Sequence, residues 1–239
     1  MDYGEHVDAV RREADAFNVA LRDGPIEAAV PSCPEWTMAD LALHVGEFAG
    51  WWTHILCDGT GRPRPALAEP AAAHDRARWC GESLAHLVAE LEATPPDTAV
   101  WTWAKEDKTA RFPARRAANE LAIHRFDAQL ARGTQQPIER ALAADGIDEI
   151  FVMIANRGTP PGGTGETLHL HATDCEAEWM LTIGADGIDM RHEHAKGDTA
   201  VRAAVSDLEL LLYQRPPVGP VEQFGDDRPL ELFYRAFTF

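Results

Sequence analysis

The hydrophobic pattern changes period once along the chain, and that switch limits the folds open to it. Up to about residue 138 apolar side chains recur at spacings of three and four; beyond it they begin to alternate. A run of helices followed by a strand-and-helix mixture predicts two domains, residues 1–138 and 139–239, because helices and sheets bury their apolar faces differently. Val7, Val10, Ala14, Phe17 and Leu21 mark a first helix over residues 3–22, closed by Gly24-Pro25. A second begins after Pro34-Glu35-Trp36, where Thr37 can cap it and Asp40 can answer from the first turn, and runs to about Cys57. A third spans about residues 71–93, with Ala73, Ala77, Cys80, Leu84, Leu87 and Leu91 on one side, and ends at Thr94-Pro95-Pro96. The fourth, Ala114–Arg132 (ARRAANELAIHRFDAQLAR), is stopped by Gly133. Four such helices predict a four-helix bundle, a scaffold whose interior commonly holds metals bound from facing helices.

In the second half Leu168–Thr173 and Trp179–Ile183 alternate, and Ala185-Asp186-Gly187 makes a turn before Ile188–Arg191. These read as antiparallel strands of a small α+β domain. Residues 198–213 (DTAVRAAVSDLELLLY) read as one amphipathic helix limited by Pro216-Pro217, and Leu230–Phe239 fits strand or helix. Pro160-Pro161-Gly162-Gly163 marks a loop; it lacks the lysine of a phosphate-binding loop.

Composition excludes several classes of function. With 39 acidic against 22 basic side chains, the net charge of −17 opposes a polyanion at every approach, so no nucleic-acid partner is expected. No stretch approaches the roughly 20 apolar residues of a membrane span. The start, MDYGEHVDAVRREADAF, is charged where a signal peptide is apolar, so a cytoplasmic protein with no membrane partner is expected. Cys33, Cys57, Cys80 and Cys175 form no CxxC pair, which argues against a disulfide framework and a thiolate zinc knuckle; they read as reduced and mostly buried.

Chemistry concentrates on the fourth helix. At about 100° per residue, Glu120, His124 and Asp127 form a narrow polar line flanked by Ala117 and Leu121 on one side and by Ile123 and Leu130 on the other. A carboxylate and an imidazole buried in such a sector need partners, and a metal supplies one; a histidine bonded to its own i−4 glutamate is the plainer alternative. A third ligand lies on the second helix, where His44 shares an inward stripe with Leu41, Phe48, Trp51 and Ile55 and is expected to be buried. His44, Glu120 and His124 make a His2Glu set that leaves positions open for water or substrate; it suits zinc, and equally iron(II). Trp51 and Trp52, with Trp101 and Trp103, can line a ligand cleft or fill the core. His169 and His171 share one strand face and His192 and His194 another, so the two HxH pairs can form a second metal site. Glu193 and Lys196 instead favour a solvated hairpin end.

Two segments also resemble a known family. VPSCPEWTMADLALHV (residues 30–45), followed by NELAIHRFD (residues 119–127), is similar to the mycothiol-dependent maleylpyruvate isomerases, which belong to the DinB-like metal-binding four-helix bundles. The resemblance covers nearly the whole chain and implies zinc held by His44, Glu120 and His124. It also implies a C-terminal domain of sterol-carrier-like fold. SDLELLLYQR (residues 206–215) looks like the family's helix ending in an arginine, Arg215, although Tyr213-Gln214 stands where relatives often carry Trp-Gly. The chemistry implied is a zinc-dependent, mycothiol-dependent isomerase or S-transferase. A thiol, with mycothiol as co-substrate, is activated for attack on an electrophilic small molecule of the maleylpyruvate type. On the same resemblance Arg215 and Asp127 are expected to be catalytic, Arg215 by binding a carboxylate of the substrate or thiol and Asp127 by orienting a ligand or accepting from the thiol's sugar hydroxyls; Trp51, as a cleft-lining side chain, is expected with Arg215 to bind the co-substrate. Asp127 has a simpler alternative, pairing with a neighbouring arginine. The protein is expected as a monomer or homodimer. Alternatives are a non-catalytic metal- and apolar-ligand-binding protein, and a non-haem iron enzyme on the same ligands.

Overall fold

Capping chemistry starts the first two helices where the pattern places them. Asp2 and Glu5 form a reciprocal capping box on α1 (Tyr3–Arg22), and Thr37 and Asp40 form another on α2 (Met38–Asp58). α2 ends on Gly59 at φ 68° and α4 (Arg111–Arg132) on Gly133 at φ 69°, left-handed positions that glycine takes without a Cβ clash. α3 (Ala73–Ala93) completes the set. This is a computed structural model, and it describes residues 1–61 and 72–237. The start of the third expected helix, and most of the loop that separates it from the second, lie outside the described residues.

The chain divides into two compact units, Met1–Gln136 and Pro137–Phe239. In the first, α1 packs on α4 and α3, and α2 on α3 and α4, a four-helix bundle around Phe17, Leu41, Ile55, Leu84, Leu87 and Phe126. α2 and α3 approach closely at Gly46, where an added Cβ would run into the ring of Trp79. A short antiparallel hairpin, β1 (Ala29–Val30) and β2 (Cys33–Thr37), leads into α2 and also packs on α4. α4 is buried around almost its whole circumference from Phe112 to Ala128, so its polar residues are as enclosed as its apolar ones. Among them, Arg125 of α4 donates Nε to Glu13 of α1 at 2.8 Å.

The second unit holds α5 (Arg140–Arg157), β3 (Glu166–Ala172), β4 (Glu178–Ile183), β5 (Ile188–Arg191), β6 (Thr199–Ala203), α6 (Val205–Leu212), β7 (Glu222–Phe224) and α7 (Arg228–Ala236). Its five-stranded sheet has the order β5-β4-β3-β6-β7. Three of the pairings are antiparallel; β3 and β6 run parallel. α5, α6 and α7 pack against the sheet, and the side chains alternating inward are Leu168, Leu170, Trp179, Leu181, Ile183 and Val201.

Three expectations need correction here. Residues 198–213 are not one helix: 199–203 form β6, inserted beside β3, and the helix starts only at Val205. The strand is five residues long, too short for its alternation to stand apart from the helical spacing of Val201, Ala204, Val205 and Leu208. His192 and His194 follow the end of β5 and do not share a strand face. Only Cys80 is fully buried; Cys33 and Cys175 are partly exposed and Cys57 is exposed. The undecided C-terminal segment is helical at α7. No described helix is long and apolar enough to cross a membrane.

Candidate metal centre

The polar line on α4 begins one turn earlier than the sequence suggested. Arg116, Glu120 and His124 succeed one another at four-residue spacing, which stacks them on one face, and Asp127 continues the line. Arg116 forms a buried ion pair with Glu120 through Nη2 and Oε2, leaving Oε1 for other partners. That oxygen lies 3.1 Å from His44 Nε2 and 3.5 Å from His124 Nε2. One nitrogen from each histidine and one oxygen of Glu120 all fall within 4.8 Å of one another. Ligands held about 2.0 Å from a tetrahedral zinc sit roughly 3.3 Å apart. The two separations involving Glu120 fall on either side of that spacing.

His124 is held by its other ring nitrogen. Nδ1 lies 3.0 Å from Asp127 Oδ2, and Asp127 Oδ1 accepts from Ser32 Oγ at 2.6 Å. Asp127 is fully buried, and a carboxylate only accepts, so Nδ1 carries the proton. His124 Nε2 faces Glu120 Oε1 at 3.5 Å, a gap that either a proton on Nε2 or a cation shared by the nitrogen and the carboxylate oxygen would bridge. Asp127 thus bonds both Ser32 and His124. Cys33, in the same hairpin, donates its Sγ to Asp127 Oδ2 at 4.0 Å.

His44 differs from its sequence reading. It is not fully buried: 37% of its side chain is exposed, against 6% for Glu120 and 2% for His124. It sits at the edge of α2 while the other two are enclosed with α4, so the triangle is open on the His44 side. Burial is the larger cause, and the neighbouring His124 the next, that push the His44 pKa down to about 3; its imidazole is therefore neutral and able to ligate near pH 7. The Trp36 ring lies over both histidines, with centroids 5.1 Å from His44 and 6.4 Å from His124.

Trp51, two turns along α2 from His44, is half-buried and meets Trp101 at 6.0 Å. Trp52 is core, packed on Phe112 at 5.8 Å. Arg215, in the second unit, is buried and gives Nη1 to the Tyr213 carbonyl at 2.8 Å. Sequence reasoning passed over Arg116, Ser32 and Trp36. Arg116 was legible as the i−4 neighbour of Glu120; Ser32 and Trp36 carried no signal beyond their place in the segment leading to α2.

The model of the mycothiol maleylpyruvate isomerase N-terminal domain matches residues 7–129. Among solved structures, a mycothiol-dependent maleylpyruvate isomerase is similar over 93% of both chains, with TM-score 0.63 and 16% identity. A histidine-to-alanine variant of a mycothiol-dependent maleylpyruvate isomerase is similar over 88% of both chains, with TM-score 0.60 and 15% identity. No curated protein sequence matches the chain. At those identities the structural likeness speaks for the fold. The family match, in contrast, covers just over half of the sequence and includes the hairpin, α2 and the ExxxH helix, so the chain belongs to the mycothiol maleylpyruvate isomerase N-terminal domain family.

Proposed function

We propose that this protein is a zinc-dependent enzyme that activates the thiol of mycothiol for attack on an electrophilic small molecule, with cis–trans isomerisation of a maleylpyruvate-type substrate as the reaction. The observation that carries the reading is the convergence of His44, Glu120 and His124, with Glu120 Oε1 3.1 Å from His44 Nε2 and 3.5 Å from His124 Nε2 and one ligand atom of each within 4.8 Å of the others. His44, Glu120 and His124 would hold the ion. Zinc bound there lowers the pKa of a thiol from about 8.5 and so supplies a thiolate at neutral pH.

The chain's own residues prepare that site. Asp127 keeps the proton on His124 Nδ1, which leaves Nε2 as the ligand, and Ser32 fixes Asp127 in turn. Arg116 balances the second oxygen of Glu120, so the carboxylate stays ionised in an enclosed position. Three protein ligands leave room for the thiol, and the exposed edge at His44 gives it an approach. The thiolate of mycothiol adds to the substrate's conjugated double bond, the new single bond rotates, and expulsion of the same thiolate leaves the trans isomer. No step is assigned to Arg215.

The test is turnover with matched metal analysis. Protein purified anaerobically is assayed for zinc and iron, then for isomerisation of maleylpyruvate with mycothiol, glutathione or bacillithiol. Zinc near one equivalent at this site and mycothiol-dependent turnover, both lost in His44→Ala with the fold retained, is the expected result. Iron in place of zinc, or turnover unaffected by His44→Ala, overturns it.

A further inference from the structure

Within the second unit a different cluster forms on the sheet face that the helices do not cover. His169 and His171 point the same way from β3, and Glu178 of β4 is the cross-strand partner of His171, so three of the four groups are placed by strand register alone. The fourth is brought by a crossover. After β5 at one edge, the chain must return across β4 and β3 to start β6 on the far side of β3, and residues 192–198 make that passage. The crossing is tight: a Cβ on Gly197 would meet the Thr199 carbonyl at 2.7 Å and the His169 amide nitrogen at 3.1 Å. His194 drops from the crossover onto the cluster, while His192 turns to Asp148 of α5 at 3.2 Å.

We propose that His169, His171, Glu178 and His194 form a second metal site, for a divalent first-row transition ion such as zinc, that fastens the crossover to the sheet. One ligand atom from each of the four lies within 4.8 Å of every other. Glu178 Oε2 is 2.7 Å from both His169 Nε2 and His194 Nδ1. His171 Nδ1 stands 3.1 Å from Glu178 Oε1, and it is a buried nitrogen with no aligned hydrogen-bond partner. The three rings stand at 72° to 86° to one another with centroids 5.4 to 6.2 Å apart, so the imidazoles are not stacked but converge edge-on. Imidazole nitrogen suits zinc, copper and nickel, and one carboxylate offsets half of the charge of a divalent ion. The three separations, 2.7 to 3.1 Å, are somewhat shorter than the roughly 3.3 Å between neighbouring ligands of a tetrahedral zinc, so the four groups part slightly to admit the ion. Four protein ligands close such a sphere, which is the arrangement of a structural site and leaves no position for substrate. Both the location and the coordination distinguish it from the His2Glu centre, and it stands whether or not that centre binds zinc.

The full-length, tag-free protein is equilibrated with zinc buffered in the nanomolar range, and zinc per chain is measured for wild type, H44A, the double variant H171A/H194A, and the combined triple variant. The double variant should carry one zinc fewer than wild type, and the triple variant one fewer than H44A. Zinc should raise the Tm of wild type and of H44A by a component that H171A/H194A lacks. E178Q keeps the side-chain volume and should show the same loss of one zinc, which covers the case in which the double variant fails to fold. Equal zinc in wild type and in a folded H171A/H194A, or zinc in E178Q at the wild-type level, overturns the proposal. Unchanged zinc in H44A would count against the first centre alone.

Discussion

Replacing Asp127 separates two jobs that the structure gives to one carboxylate. Asp127 is fully buried, with Oδ1 accepting from Ser32 at 2.6 Å and Oδ2 from His124 Nδ1 at 3.0 Å. Asp127→Ala leaves the Ser32 hydroxyl and His124 Nδ1 unmatched, each costing about 1–3 kcal/mol, and removes the weaker contact of the Cys33 thiol. Ser32 is part-buried and its hydroxyl can turn elsewhere, so a total near 2–4 kcal/mol is expected. The same change frees His124 to rotate and to take the other tautomer, which should weaken zinc about 10–100-fold. That corresponds to about 1.4–2.8 kcal/mol of binding. Asp127→Asn behaves differently. Its amide oxygen can still accept from His124 Nδ1, and its NH2 can donate to Ser32 once the hydroxyl reverses. Stability should fall by less than about 1 kcal/mol, while the lost charge weakens zinc by roughly tenfold. Competition against a chromophoric chelator gives the affinities, and urea unfolding of the metal-free proteins gives the stabilities. Two results refute the reasoning: wild-type zinc affinity in both variants, or a loss of stability in Asp127→Ala with no loss of affinity.

Three further outcomes are expected from the structure. Glu13→Ala strips the buried Arg125 of its carboxylate partner, but Gln129 and the Gln136 carbonyl remain within 2.9 Å. The cost should be about 2–4 kcal/mol in urea unfolding, and a value under about 1 would mean that those two acceptors suffice. Gly46→Ala places a methyl against the Trp79 ring where α2 meets α3. Overpacking of about 1–3 kcal/mol should outweigh the roughly 1 kcal/mol of helix propensity that alanine adds, so Tm should fall and not rise. Glu166 is held by backbone amides at Thr164 and Glu166 and by Arg228, which depress its carboxyl from 4.5 to about 2. Because the folded value is the lower, its contribution is fully present above about pH 4.5 and is lost as pH falls toward 2. Carboxyl NMR should show that low midpoint in wild type and a higher one in Arg228→Ala; an ordinary midpoint in wild type would refute it.

Legibility in the sequence followed the range of the interactions. Helix spans were readable because the capping boxes at Asp2 and Thr37 and the left-handed stops at Gly59 and Gly133 act within a turn. The ExxxH pair was readable for the same reason. The partial exposure of His44 was not, since it depends on where the edge of α2 falls relative to the hairpin and α4. Residues 199–203 misled because the strand is only five residues long and Val201 falls at helical spacing from Ala204, Val205 and Leu208, so its short alternation merges with the helix that follows.

The sequence by itself determined which side chains share a face: Glu120 with His124 and Asp127, Leu41 with His44, His169 with His171. Helical and strand periods are local properties of the backbone, and no distant residue alters them. It also determined the family, through the hairpin and helix segments between residues 7 and 129. The tertiary structure decided the partnerships. It gave Ser32 to Asp127 and Arg116 to Glu120, brought the α2 imidazole to the α4 carboxylate, and sent His194 to Glu178 while turning His192 to Asp148. Each of those contacts depends on packing between elements far apart in the chain or on the course of a crossover, and the energy that selects among such pairings is spread over the whole core.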